Sequence, residues 1–450
     1  MKTQRNFLFA LILLIPLVLS SCKLPLVPEV NAASDEVSNI QAQVSQITAA
    51  TSTSVPESVE TELPTEVPTS TPTLTQTPVP AVYGPALEDF PAGINPLTGL
   101  VVPDPSLLDL PAVLISITNF PPSARPQSGL SFASWVYELY ISEGMTRFLT
   151  VFYGNYPHLS LPGSDSSTNN QANPSATPDA NNTGAGTAQF TDPSTASPLN
   201  IGPIRSGRLP WAYIRDFYQN GCLVYAGATV QIRERLKGCG QVYGSDPSDI
   251  NSAMLTIEDL KILAEQNADP NNNFNYSGNY FSEIVPGGGQ PATQMDVYYS
   301  FLNQGKWELD PASGRYLKFE DFADGSGQFR PMTDRVNGDQ LAFSNVIVLF
   351  ADHEVLDPFI IDVNLQSGEK GKALIFRDGQ RYEAVWTTMN EEYEKTTGLR
   401  RPLRFENPDG TPFPLKPGQS WVHIFTHYST VEDKGEGNWL FRFIAPAGTY

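Results

Sequence analysis

The chain has 450 residues and a formal net charge of -20, with 48 acidic against 28 Lys and Arg residues. The acidic balance is spread along the chain and no Lys/Arg-rich run could track a phosphate backbone, so nucleic acid is excluded as an expected partner. No spacing among its 3 cysteines resembles a zinc site, and neither a metal nor a cofactor is expected.

In chain order, the first element is MKTQRNFLFALILLIPLVLSSC, where Lys2 and Arg5 precede an apolar run from Phe7 to Leu19. That run is too short and too near the terminus for a comfortable bilayer-spanning helix, and it reads as a secretory signal over residues 1–21. Its end, Leu19-Ser20-Ser21-Cys22, looks like the lipobox of bacterial lipoproteins. Small residues there let the backbone into a peptidase cleft, and the Cys22 thiol receives the lipid. An ordinary signal peptide with an incidental cysteine is the alternative. Two or three acyl chains, at about 0.8 kcal/mol per buried CH₂, would anchor the chain stably to the extracytoplasmic face of the cell membrane.

Residues 22–83 are rich in Thr, Ser, Pro, Glu and Val and read as a disordered tether, near 45 Å as a flexible coil of about 60 residues. Residues 94–245 then alternate in character. Ala112 to Thr118 reads as a buried strand. Ser131 reads as the cap of a helix carrying Phe132, Trp135, Val136 and Leu139 at i, i+3, i+4 and i+7. Thr146 to Tyr153 and Cys222 to Ala226 read as strands. Helices are expected after Pro210, through Trp211, Ile214 and Tyr218, and over Thr229 to Lys237. A low-complexity stretch at 163–198 reads as a surface insertion within this domain. The alternation predicts an α/β layered N-terminal domain.

Residues 246–290 read as a connection with a helix at Ile257 to Glu265. Beyond it, DVYYSF, NVIVLF, KALIFRDGQRYEAVW and QSWVHIF are short, aromatic and β-branched, and Ser-Gly, Asp-Gly and Pro-Gly turn signals separate them. Residues 291–448 are therefore expected to form a β-rich C-terminal domain, and the fold class expected for the whole is α+β.

Three motifs stand together in the first half: TNFPPSARPQSGLSFASWVYE at Thr118 to Glu138, SEGMTRFLTVF at Ser142 to Phe152, and IGPIRSGR at Ile201 to Arg208. The chain resembles the YerB-like lipoproteins, a bacterial family with an N-terminal domain of unknown function (3048) and a β-rich C-terminal partner domain. The second half matches more loosely, through WELDPASGRY, SNVIVLF and DGTPFPLKPGQSWVHI. Two positions depart from the family pattern: Tyr225 and Met332 stand where histidines are usual. The resemblance implies location and fold; it carries no reaction.

The candidate site residues are Arg125, Gln127, Arg147, Arg205, Ser206 and Arg208, with Glu138 and Glu143 between them. Three readings apply. The carboxylates could pair with two of the arginines and pin loops to the sheet. Four guanidiniums against two acids could leave positive charge beside the N-terminus of the Pro210 helix, where it would bind an anionic wall glycan or polymer. Glu138 and Glu143 could instead act as an acid/base pair on a glycan. Ser206 is expected to cap or bond its loop. His423 and His427 share a strand face without chelating a metal, and His158 and His353 carry no motif. Cys222 and Cys239 are expected either to form a disulfide or to remain two buried thiols.

Overall fold

The computed structural model describes residues 81–157, 200–269, 271 and 274–449. The signal, Cys22, almost all of the tether, the 163–198 insertion and His158 lie outside the described residues. Val82–Tyr83, at the end of the expected tether, pair with Tyr280–Ser282.

The β-branched run Val113–Thr118 is a strand buried at every position. Met145–Phe152 pairs with it antiparallel and Cys222–Tyr225 parallel. These strands belong to an eleven-stranded mixed sheet that also takes in Asn345–Ala351, Lys370–Arg377, Gln380–Thr387 and Ser420–Thr426. The two halves of the chain join within this sheet. Ser420–Thr426 lies parallel to Trp135–Ser142, with His423 in register with Glu138.

One face of the sheet is covered by a seven-stranded second sheet that includes Gln294–Ser300, Asn303–Asp310, Arg315–Asp321 and Asn438–Arg442. Met295, Val297, Trp307 and Tyr316 pack from it onto Val136, Phe148, Val348 and Trp421. The opposite face carries Leu139, Leu149, Leu223 and Ile347, packed against α1 (Trp211–Asp216) and α2 (Val230–Leu236). Both faces of the central strands are therefore apolar.

The fold is β-rich, which corrects the expectation of an α+β protein with an α/β layered N-terminal domain. The decisive misreading is Phe132 to Leu139: Leu130–Phe132 form one 3-10 turn and Trp135–Ser142 is a strand with all eight residues buried. A strand covered on both faces loses its alternation, and its apolar residues then match a helical spacing by chance. Ser131 caps nothing, because its N–H and hydroxyl both donate to the buried Asp334 carboxylate, each at 2.8 Å. The remaining helices are too short to make a covering layer. α1 has six residues, α2 seven and α3 (Ile257–Gln266) ten.

Cys222 opens its strand and Cys239 follows α2; the two are joined by a disulfide with Cα atoms 5.2 Å apart. The bridge holds α2 against the strand that precedes it. Closing a loop with a sequence separation of 17 should contribute about 3 kcal/mol. Cys222→Ser with Cys239→Ser should lower the denaturant midpoint accordingly, and an unchanged midpoint would show the bridge to be energetically idle.

Candidate functional site

The sheet separates the predicted site residues into two groups. Residues on alternate positions of a strand face opposite sides, so Arg147, in register with Leu139, points to the helix face, whereas Thr146 and Glu138 point to the second sheet.

On the helix face, the segment through Ile204 lies along the Val113–Thr118 strand. Thr118 N donates to Pro203 O at 2.9 Å, and Arg205 N donates to Ser116 O at 2.8 Å. Arg205, Ser206 and Arg208 are thereby held beside Arg147. A Cβ on Gly207 would stand 2.3 Å from Leu236 Cδ1 of α2, so glycine is what lets this loop approach. Arg147 is only 4% exposed; its Nη1 donates to Ser206 O at 2.9 Å and Ser206 Oγ at 3.1 Å. Arg205 donates to Ile250 O at 3.2 Å. The Nε groups of Arg147 and Arg208 are buried without a hydrogen bond.

Among the described residues, no ion pair reaches Arg147, Arg205 or Arg208. Burial, and then repulsion from Arg208 and Arg205, hold the Arg147 guanidinium well below its ordinary pKa. Burial and Arg205 bring Arg208 down to about 10. The first N–H groups of α1 do not add to this site, because Trp211, Ala212, Tyr213 and Ile214 donate to Arg208, Leu209 and Pro210 carbonyls.

Arg125 and Gln127 serve elsewhere. Arg125 reaches the second sheet, with Nε 3.3 Å from Glu320 Oε2 and Nη1 3.3 Å from Asp321 Oδ1. Gln127 is fully buried, and its Nε2 donates to Thr118 O at 3.1 Å. Neither carboxylate pairs with an arginine among the described residues. Glu138 is 3% exposed within its strand, while Glu143 sits exposed in the two-residue hairpin turn with φ 50°, followed by Gly144 at φ 76°. Five strand positions at about 3.3 Å each put them about 16 Å apart along the backbone. A paired-carboxylate site calls for about 5 to 10 Å.

What the sequence did not reveal is the company Glu138 keeps. Its carboxylate accepts from Thr146 Oγ1 at 2.9 Å and Trp421 Nε1 at 3.0 Å, and lies 3.2 Å from His423 Nδ1. Trp307 Nε1 donates to His423 Nε2 at 3.1 Å. An indole N–H can only donate, so Nε2 is unprotonated and the proton sits on Nδ1, facing Glu138. His423 is neutral, as its burial also favours. Lys318 Nζ stands 4.4 Å from the Trp307 ring centre and 4.6 Å from that of Trp421. Burial opposes ionisation of Glu138, yet the Lys318 charge and the hydrogen bonds from His423 and Thr146 hold its pKa down to about 2. Glu138, Lys318 and His423, with Arg125, Tyr299 and Glu320, line a small pocket between the sheets. One signal was present: a carboxylate in an unbroken apolar strand must find a buried partner.

His427 lies 3.4 Å from Asp352 at the surface, and His353 is half-buried. Among the described residues, no helix is long and apolar enough to cross a membrane.

Residues 97–162 match the family described as "Protein of unknown function (DUF3048) N-terminal domain", and residues 295–422 match "Protein of unknown function (DUF3048) C-terminal domain". The chain is 23% identical over 363 residues to the "Putative lipoprotein YerB" of Bacillus subtilis, covering 76% of this chain and 89% of that one. The crystal structure of the B. subtilis YerB protein has the same fold at a TM-score of 0.50 and 20% identity, covering 73% of this chain and 95% of that one. The N- and C-terminal DUF3048 domains are thus both present and in order, in a chain similar in sequence and in fold to the YerB protein.

Proposed function

We propose that this protein is a lipid-anchored, extracytoplasmic binding module that holds an anionic group of a cell-envelope component at Arg147, Arg205 and Arg208. The observation that carries the reading is the absence of any described carboxylate paired with these three guanidiniums. Clustered, partly buried cations without counter-charge are costly to maintain, and a phosphate or carboxylate ligand supplies what the fold leaves out. Ser206, bonded to Arg147, orients the cluster and adds a hydroxyl. The anchor rests on the Leu19-Ser20-Ser21-Cys22 motif and on the name of the B. subtilis relative.

The test is a sedimentation assay of the full chain with isolated wall material, run beside membrane fractionation. Arg205→Gln with Arg208→Gln should reduce wall binding at least tenfold, and Cys22→Ala should release the chain from membranes. Wall binding that survives the double substitution would end the anion-site reading, and membrane retention of Cys22→Ala at high salt would end the lipid-anchor reading.

A further inference from the structure

The Cys222–Cys239 disulfide and the arginine cluster meet at α2. That helix has seven residues, of which only Ile232 and Leu236 are buried. No side chain caps its N-terminus, and Lys237 closes it at φ 45°. A helix this short has no stability of its own, so its place depends on what it is tied to. Arg205 N donates to Ser116 O and Ala226 N donates to Arg205 O, which fixes the start of the arginine loop to the sheet. Gly207 and Arg208 are the part that α2 covers: Leu236 lies directly on Gly207, and Ile232 lies beside Arg208. Past the helix, Gly240–Gln241 form only a two-residue strand at the edge of the sheet, next to Cys222–Tyr225. The two joined cysteines differ in access. Cys222 is fully buried, whereas Cys239 is exposed.

We propose that Cys239 is a thiol-exchange site, and that opening its bond to Cys222 weakens anion binding at Arg147, Arg205 and Arg208. This rests on the anion-binding reading above and adds its regulation by a thiol reductant. A thiolate arriving from solvent reaches the Cys239 sulfur and not the Cys222 sulfur, and access decides which sulfur is attacked. A bond forms between the incoming sulfur and Cys239 Sγ, the disulfide breaks, and its electron pair leaves on Cys222 as a thiolate that takes a proton from water. When the reductant is a dithiol, its second thiol displaces Cys239 in turn, so that both cysteines end as thiols and the dithiol ends as a disulfide. What then holds α2 is two apolar side chains and a two-residue edge strand, which places it at the low-stability end of the fold. With α2 loosened, Leu236 no longer holds Gly207 down, and Arg208 is no longer kept beside Arg147 and Arg205. The central sheet does not depend on the bridge, since Cys222–Tyr225 stays paired with Val113–Thr118.

The test is calorimetric titration of the full chain with inorganic phosphate, before and after reduction by dithiothreitol. Reduction should weaken phosphate binding at least fivefold while the near-ultraviolet dichroism of the buried Trp307 and Trp421 is kept. Cys222→Ser with Cys239→Ser should bind phosphate as weakly as the reduced chain and ignore dithiothreitol. Brief exposure to glutathione, followed by alkylation and peptide mapping, should find glutathione on Cys239 and the alkyl group on Cys222. Unchanged phosphate affinity in the reduced chain would overturn the coupling and leave the anion site standing. Affinity lost only together with the tryptophan signal would overturn it too, as global unfolding, and glutathione on Cys222 would overturn the exchange site. Failure of phosphate to bind the oxidised chain would overturn the anion reading and the coupling together.

Discussion

Glu138→Ala should be the most damaging single substitution in the described part of the chain, lowering stability by about 3–5 kcal/mol, because it strips the acceptor from buried donors and removes the first of the carboxylates that attract the buried Lys318, leaving Glu320 and Asp321. The carboxylate is also the acceptor for Thr146, Trp421 and His423. Thr146 Oγ1 already accepts from Asn119 at 2.8 Å and Asn303 at 3.3 Å, so its own proton is directed at Glu138. Glu138→Gln should not rescue, since its amide would present N–H groups to a site filled with donors. Chemical denaturation of both variants measures this, and a loss below about 1 kcal/mol for Glu138→Ala would show that the network is not what joins the sheets.

The pH dependence follows from the same geometry. The Glu138 pKa is lowered from 4.5 to about 2 in the folded chain, so its contribution is complete above the unfolded value and is lost as pH falls from about 4.5 towards 2. In Glu138→Gln that part of the acid sensitivity should be missing.

The second large effect has the opposite sign. Arg147→Met should stabilise the ligand-free protein by about 1 kcal/mol, raising Tm by about 2–4 °C, because it removes a buried, unpaired guanidinium whose Nε makes no hydrogen bond. Met keeps much of the length that packs against the sheet. If the anion site takes phosphate as proposed, phosphate should stabilise the wild type by about 2.7 kcal/mol at a hundred times the dissociation constant, and the same variant should lose that gain. A residue whose removal improves stability and abolishes ligand response is one kept for binding. Thermal scans with and without phosphate measure both; a lower Tm together with an unchanged phosphate response would make Arg147 a structural residue.

Much of this architecture was legible in local pattern. Val113–Thr118, Met145–Phe152, Asn345–Ala351 and Ser420–Thr426 are β-branched or aromatic runs whose neighbours cannot form a helix as well, and the Gly-Pro-Ile-Arg-Ser-Gly segment could only be a loop. Those features depend on residues a few positions apart, where backbone sterics and turn chemistry decide. Tertiary structure alone decided the rest. Trp135–Ser142 reads as a helix until both of its faces are covered, one by the second sheet and one by α1 and α2, since burial on two sides erases the period of two. The sides taken by Glu138 and Arg147 follow from strand register. The bond from Trp421 to Glu138 spans 283 positions, and no local preference reaches that far. It exists because two strands from opposite halves of the chain lie parallel in one sheet, which places His423 in register with Glu138 and leaves Arg147 on the opposite face.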